Sequence, residues 1–420
     1  MPPAQQETSR STWLEQMQRN EPEPYTVSLK QQLKSGGSGG AEPPSADAVE
    51  RFAQFADALD DGLCRLAAVA IAQNAILAVK SALFSFASNC RTPKASIVHF
   101  QLRHLVHATS SRDVFFSASG QHGVCHWNAV TRKQRVVLPV DVDIQISTCA
   151  AWVDTAGKHC VAAGGFSGEL IVKAMACLDD AAAADALAPP PGVTFSRRIS
   201  TDENAITNAI VPVPALGAGG PPSIVASNND CLVRVFDMHA LAESARFTFP
   251  WAVNYTAVSP CGRLAVVVGD HMRCSLFDLA SGTVVASLVG HLDFSFAAGW
   301  HPNGISFATG SQDATARVWD VRRLATSRRV LQGKLGAIRS LRFSADGTAL
   351  AALEPADFVH IYDCGADYRR EQLIDLFGEN AGVSFSPCGE ALFVGVSDLT
   401  YGSLVEYHRV QPSRRRLPRL

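Results

Sequence analysis

The chain has 420 residues, with 37 Lys plus Arg against 39 Asp plus Glu and a formal net charge of −2. Hydrophobic residues make up 47% and charged residues 18%, which permits a sizeable core and argues against chain-wide disorder. The balanced charge excludes a chain-wide basic stripe of the kind that holds nucleic acid through its phosphates. Eleven cysteines are dispersed without a Cys-x-x-Cys pair, the pattern of reduced thiols in a cytoplasmic or nuclear protein and not of a disulfide frame or zinc ribbon. Met1 to Asn20 is polar throughout, so no signal peptide is read there.

Residues 1–46 contain "EPEP", "GGSGG" and "EPPS" and are read as a disordered tail, because such a composition cannot bury enough surface to offset chain entropy. Residues 47–90 turn Ala-rich, with Phe52, Phe55, Leu59, Leu63 and Leu66 at helical intervals, and are read as a helical segment. Its longest uncharged run, between Arg65 and Lys80, is 14 residues. A membrane span needs about 20, so docking onto the main domain is the favoured reading. From residue 95 to 410 short strand-like runs alternate with turn signals. Gly262, Gly304, Gly347 and Gly389 close the turns "SPCG", "HPNG", "SADG" and "SPCG" at intervals of 42, 43 and 42 residues. Phe236, Phe277, Trp319, Tyr362 and Tyr407 each follow a β-branched run, at intervals of 41, 42, 43 and 45. Trp127 and Lys173 mark two weaker members, and the inserts at 179–191 and 212–222 lengthen one interval. Residues 411–420, "QPSRRRLPRL", form a basic C-terminal tail.

A period of 40–45 residues with four short strands per unit resembles the WD-repeat family and implies an all-β, seven-bladed WD-repeat β-propeller over 95–410. One four-stranded sheet has two apolar faces and two bare edges; radial stacking covers the faces, and pairing of the last unit with an early strand closes the ring. "ASIVHFQL" at 95–102 is the expected closing strand, paired with the unit ending at Tyr407. The likeness is most specific at 290–322, where Gly290-His291 and Trp319-Asp320 stand at the family's marked positions. It implies a buried hydrogen-bonded tetrad of His291, Ser311, Asp313 and Trp319. Elsewhere fragments survive: Asp230 keeps the turn position, while Lys334 replaces the histidine. "LGAIRSLRF", "EPADFVHIYD", "TYGSLVEY" and "SIVHFQLRHLVHATS" further resemble a fungal and plant WD-repeat subfamily with no assigned biochemical role.

No phosphate-loop, His-Glu-x-x-His or Gly-x-Ser-x-Gly element occurs, so no catalytic residue, metal or cofactor is expected, and the chain is read as a non-enzymatic scaffold for other proteins. His99, His104 and His107 fall on two faces of a strand and are read as ordinary strand and loop histidines. His122, Cys125 and His126 are read as blade packing. In a propeller the loops between blades and between second and third strands form the upper rim, where partners dock. That rim is expected to include Phe166, Trp251, Asp293, Phe294, Lys334, Glu354, Asp357, Phe358, Glu379 and Tyr401. "WDVR" at 319–322 resembles the box by which WD-repeat substrate receptors bind the cullin-4 ubiquitin-ligase adaptor, with Asp320 and Arg322 as the implied contacts; Ala316 departs from that box. Ser200 in "RRIS" is a candidate phosphorylation site.

Overall fold

The computed structural model describes residues 79–410, apart from 81, 119–122, 141–143, 176–177, 179–191, 215–218 and 399. The expected tail, the helical reading of 47–78, His122 and the basic residues beyond 410 lie outside the described residues. All regular elements among the described residues are strands, and none of these residues forms a helix long and apolar enough to cross a membrane.

Five four-stranded antiparallel sheets occupy residues 106–139, 146–198, 207–248, 253–288 and 295–332. In each, the first strand in sequence is innermost. The remaining strands join in one eight-stranded sheet. The joint is Arg370–Phe385, a 16-residue strand. Its first part pairs with Ala356–Asp363 and its last part with Ala391–Ser397, and the register shifts between Asn380 and Gly382. Gly378, at φ 117°, takes the bend where an L side chain would be strained.

The inner strands pack in sequence, Val106–Ala108 on Ile146–Val153, then Thr207–Val213, Val253–Val258, Ser295–Trp300 and Ser340–Phe343, and the bent strand returns to Val106–Ala108. Their beginnings are tied to one another. Ser147 Oγ donates to the Thr207 carbonyl (2.6 Å), Asn208 Nδ2 to that of Val253 (2.9 Å) and Asn254 Nδ2 to that of Ser295 (3.1 Å). The Leu105 amide donates to the Ala381 carbonyl at 3.2 Å. These bonds put every inner-strand start at one end of the ring, here the upper face. Loops that precede inner strands, or join second to third strands, therefore open on that face.

Apolar layers fill the space between adjacent sheets. One holds Tyr255, Val266, Val268 and Leu276 of one sheet against Trp300, Phe307 and Trp319 of the next. No sheet alone hides both of its faces, which is why the units hold only as a set.

Two expectations are corrected. Phe84–Cys90, within the segment read as helical, is a strand antiparallel to Ser403–Arg409, and Phe84 is buried against the Phe385 ring (centroids 5.7 Å). It thereby occupies the edge assigned to 95–102. That stretch makes a single bridge, Ala95 to Ala118, and then crosses the upper face to the first inner strand.

Candidate functional site: loop networks and the upper face

In the sheet of residues 295–332 a relay crosses the interior. Trp319 Nε1 donates to Thr309 Oγ1 (2.9 Å), and Thr309 Oγ1 lies 2.8 Å from His291 Nε2. His291 Nδ1 meets Asp313 Oδ2 at 3.0 Å, an oxygen that also accepts the Leu292 amide at 2.9 Å. Thr315 donates to the other oxygen of Asp313 at 2.7 Å. Because the carboxylate accepts at Nδ1, neutral His291 accepts at Nε2 from the threonine hydroxyl, and every member is satisfied. Burial alone raises the Asp313 carboxyl, but bonds from His291 and Thr315 outweigh it and hold the carboxyl well below the usual range. Burial lowers His291 below its ordinary value despite Asp313.

The hydroxyl in this relay is that of Thr309, not Ser311 as expected. Both residues lie on the same face of Ser306–Ser311, so spacing does not separate them. Register does: Ser311 pairs with Ser295 beyond a bulge, and its hydroxyl turns to the carbonyls of Phe294 (2.8 Å) and Asp293 (3.1 Å).

The next repeat, which lacks the loop histidine, holds its loop differently. Glu354, 1% exposed, accepts the backbone amides of Lys334, Leu335 (3.0 Å) and Gly336 (2.7 Å). His360 joins Glu354 Oε1 through Nε2 (2.8 Å) and Glu371 Oε1 through Nδ1 (2.5 Å). With a carboxylate at each ring nitrogen, His360 is an imidazolium. Burial lowers its pKa, but Glu354 and Glu371 outweigh burial and raise it above the ordinary value.

The remaining expected rim residues divide by environment. Phe294 (43% exposed) and Leu335 (76%) stand out on the upper face, beside Leu292 and the exposed Lys334. Tyr401 is exposed and meets the exposed Phe377 edge-on at 5.4 Å. Phe166 is half-buried against the His99 ring at 5.8 Å. Asp293 caps its own loop by accepting the Phe294 amide (2.7 Å), and exposed Glu379 pairs with Arg103 at 3.3 Å. Asp357, at φ 64°, accepts the Gly378 amide (3.1 Å), and Phe358 is half-buried beside it. A groove of about 640 Å³ runs past Asp357, Phe377, Glu379 and Asp398. Two residues are not rim groups. Trp251 is 9% exposed and packs on Phe249 in the core, and Glu354 is consumed by its loop amides. Ser200 is buried, so it is not an accessible phosphorylation site.

The histidines near the ring's start serve the interior. His104 lies against the Tyr255 ring (4.3 Å) and meets Ser340 Oγ at 3.2 Å, while His107 meets the His104 carbonyl at 3.0 Å. His126 contacts Asp113 at 2.8 Å. Burial pushes the Cys125 thiol up to about 12. Among the described residues no group of three His, Cys, Asp or Glu is placed to hold a metal ion. On the opposite face, Arg322 forks onto Asp320 through Nε (2.9 Å) and Nη2 (2.6 Å). Both charges are thus partnered within the chain, which lends no support to the adaptor contact. Sequence reasoning missed Thr309, His360 and the buried Arg103 and Arg339. Only the position just before an inner strand marks Arg339 in the sequence.

Four-stranded sheets stacked about a common centre, one of them carrying a Trp–Thr–His–Asp relay, define a β-propeller-type repeat protein. Residues 282–320 match the family described as "WD domain, G-beta repeat". The chain is 31% identical over 127 residues to "Apoptotic protease-activating factor 1" of Mus musculus, covering 30% of this chain and 10% of that protein. It is 26% identical over 141 residues to "Guanine nucleotide-binding protein subunit beta-1" of Nicotiana tabacum, 31% of this chain and 37% of the relative. It is 31% identical over 147 residues to "WD repeat-containing protein VIP3" of Arabidopsis thaliana, 30% of this chain and 44% of the relative. The chain therefore spans well under two thirds of each of these relatives. Residues 282–320 are thus similar to a WD repeat.

Proposed function

We propose that this chain is a non-enzymatic interaction scaffold that holds partner proteins on its upper face, with seven blades when the eight-stranded sheet is counted as two. The observation that carries the reading is the gathering of exposed apolar side chains, Leu292, Phe294, Leu335, Phe377 and Tyr401, on loops at the end where the inner strands begin. Those loops are fastened from beneath, by Asp313 under Leu292 and by Glu354 under Leu335. Rigid apolar side chains on a fixed ring spare a partner the entropy of ordering them, the general requirement of an energetic hot spot. The match of residues 282–320 to the family described as "WD domain, G-beta repeat" supports the same reading. The cysteines among the described residues form no disulfide, which fits a reducing compartment, cytoplasm or nucleus.

The test is quantitative co-purification from cells with three forms of the full chain: wild type, Phe294→Ala with Leu335→Ala, and Val130→Ala. Val130 is exposed in a turn joining third and fourth strands, on the lower face. Partners shared by wild type and Val130→Ala but lost from the double variant are the expected result. Identical partner sets for all three would overturn the reading.

A further inference from the structure

Arg103 and Arg339 immediately precede or closely approach inner strands, Arg339 one residue ahead of Ser340–Phe343 and Arg103 three ahead of Val106–Ala108. The contact of His104 with Ser340 sets the two segments side by side at the upper ends of their inner strands. Both arginines are buried, 3% and 5% exposed. The Arg339 guanidinium lies over the Phe296 ring at 3.9 Å and gives Nη2 to Gln312 (2.5 Å), while its Nε and Nη1 have no acceptor. Arg103 donates to the His99 carbonyl (3.1 Å), the Leu102 carbonyl (3.3 Å) and Glu379, and its Nε has no acceptor. Burial lowers Arg103 to about 10 against the pull of Glu379; burial, then the like charge of Arg103, lowers Arg339 to about 10. A fold that buries guanidinium donors without acceptors bears a free-energy cost at this place, and it is relieved when an acceptor enters.

The neighbours narrow the chemistry of that acceptor. Asp270, Asp293 and Glu379 stand around the pair and interact with its charges. They crowd a dianion such as phosphate more than a single carboxylate. Phe294 and Leu335 are exposed on the loops that lead into the inner strands Ser295–Trp300 and Ser340–Phe343. Resting on the upper-face reading above, we infer that Arg103 and Arg339 form a carboxylate-binding site for a partner peptide, taking one Asp or Glu side chain whose apolar neighbours settle on Phe294 and Leu335. The planar fork of arginine suits the two carboxylate oxygens.

The experiment selects dodecapeptides from a phage-displayed random library on the immobilised full chain, then measures synthetic versions of the enriched peptides by fluorescence anisotropy. The expected result is enrichment of an acidic residue beside apolar ones. Changing that residue to its amide, or Arg339 to Gln in the chain, is expected to weaken binding by about thirtyfold or more. Thermal melting checks that Arg339→Gln folds; where it does not, Arg339→Lys keeps the charge, removes the fork and is expected to weaken binding as well. A phosphoserine replacement that binds more tightly than the acidic peptide would overturn the carboxylate assignment. So would failure to enrich any peptide. Neutral peptides whose binding is lost on Phe294→Ala with Leu335→Ala would refute the carboxylate site while leaving the upper-face reading intact. Peptides indifferent to both the arginine and the apolar variants would refute both.

Discussion

Two neighbouring repeats anchor a loop at the upper face by opposite chemistry. In the sheet of residues 295–332 the loop supplies an imidazole, His291, and the second-to-third turn supplies the carboxylate, Asp313. In the following repeat the carboxylate is Glu354, which grasps three loop amides, and the imidazole, His360, comes from the third strand. The first histidine is neutral and the second charged. Loss of the family's marker residues at Lys334 therefore does not mean loss of the loop anchor. What persists is the task, a buried carboxylate that fixes a loop bearing an exposed apolar side chain, Leu292 in one case and Leu335 in the other.

The comparison breaks most visibly at the carboxylates. Glu354→Ala leaves three loop amides and a buried imidazolium without their acceptor and is expected to cost about 3–5 kcal/mol in chemical denaturation. Replacing the hydroxyl of the relay comes next. Thr309→Val strands the Trp319 indole N–H and His291 Nε2 and is expected to cost about 1–3 kcal/mol, whereas Ser311→Ala, losing bonds to loop carbonyls, is expected to cost about 0.5–1.5 kcal/mol. An equal loss from both substitutions would mean that Thr309 is not the bridging residue.

The two histidines respond to pH in opposite senses. His360 has a raised folded pKa, so its contribution is complete below the unfolded value of about 6.5 and is lost as pH climbs through the folded value. Asp313 and His291 have lowered folded values, so their contributions are lost as pH falls, His291 below about 6.5 and Asp313 below about 3.9. Melting followed from pH 4 to 9 should show both limbs, and His360→Gln should flatten the alkaline one while leaving the acid limb in place. The smallest effect is expected at Arg322→Ala, where an exposed fork onto Asp320 is lost: the melting temperature should not change measurably.

Much of this architecture is legible in the chain. Turn glycines and strand-closing aromatics repeat at 41–45 residues because each unit must present the same turn and the same buried ring to its neighbour. His291, Asp313 and Trp319 are legible for the same reason. Thr309 is not, since alternation places it on the face of Ser311 and only the bulge opposite Ser295 decides between them. Phe84–Cys90 pairs with a strand more than 300 residues away, and a sequence window of ordinary length contains nothing of that partner. The Glu354–His360–Glu371 anchor and the buried guanidinium pair depend on contacts between strands and between sheets, which no local spacing encodes. Trp251 misled because an aromatic residue before an inner strand reads equally well as rim or as core.

Amide hydrogen exchange on the upper loops tests most directly whether equivalent rigidity is reached by the two anchors. In the wild-type chain the amides of Leu292 and of Lys334, Leu335 and Gly336 should all exchange slowly. Asp313→Ala should release the first alone and Glu354→Ala the other three alone. Fast exchange at 334–336 in the wild type, or release of both loops by either substitution, would contradict the account.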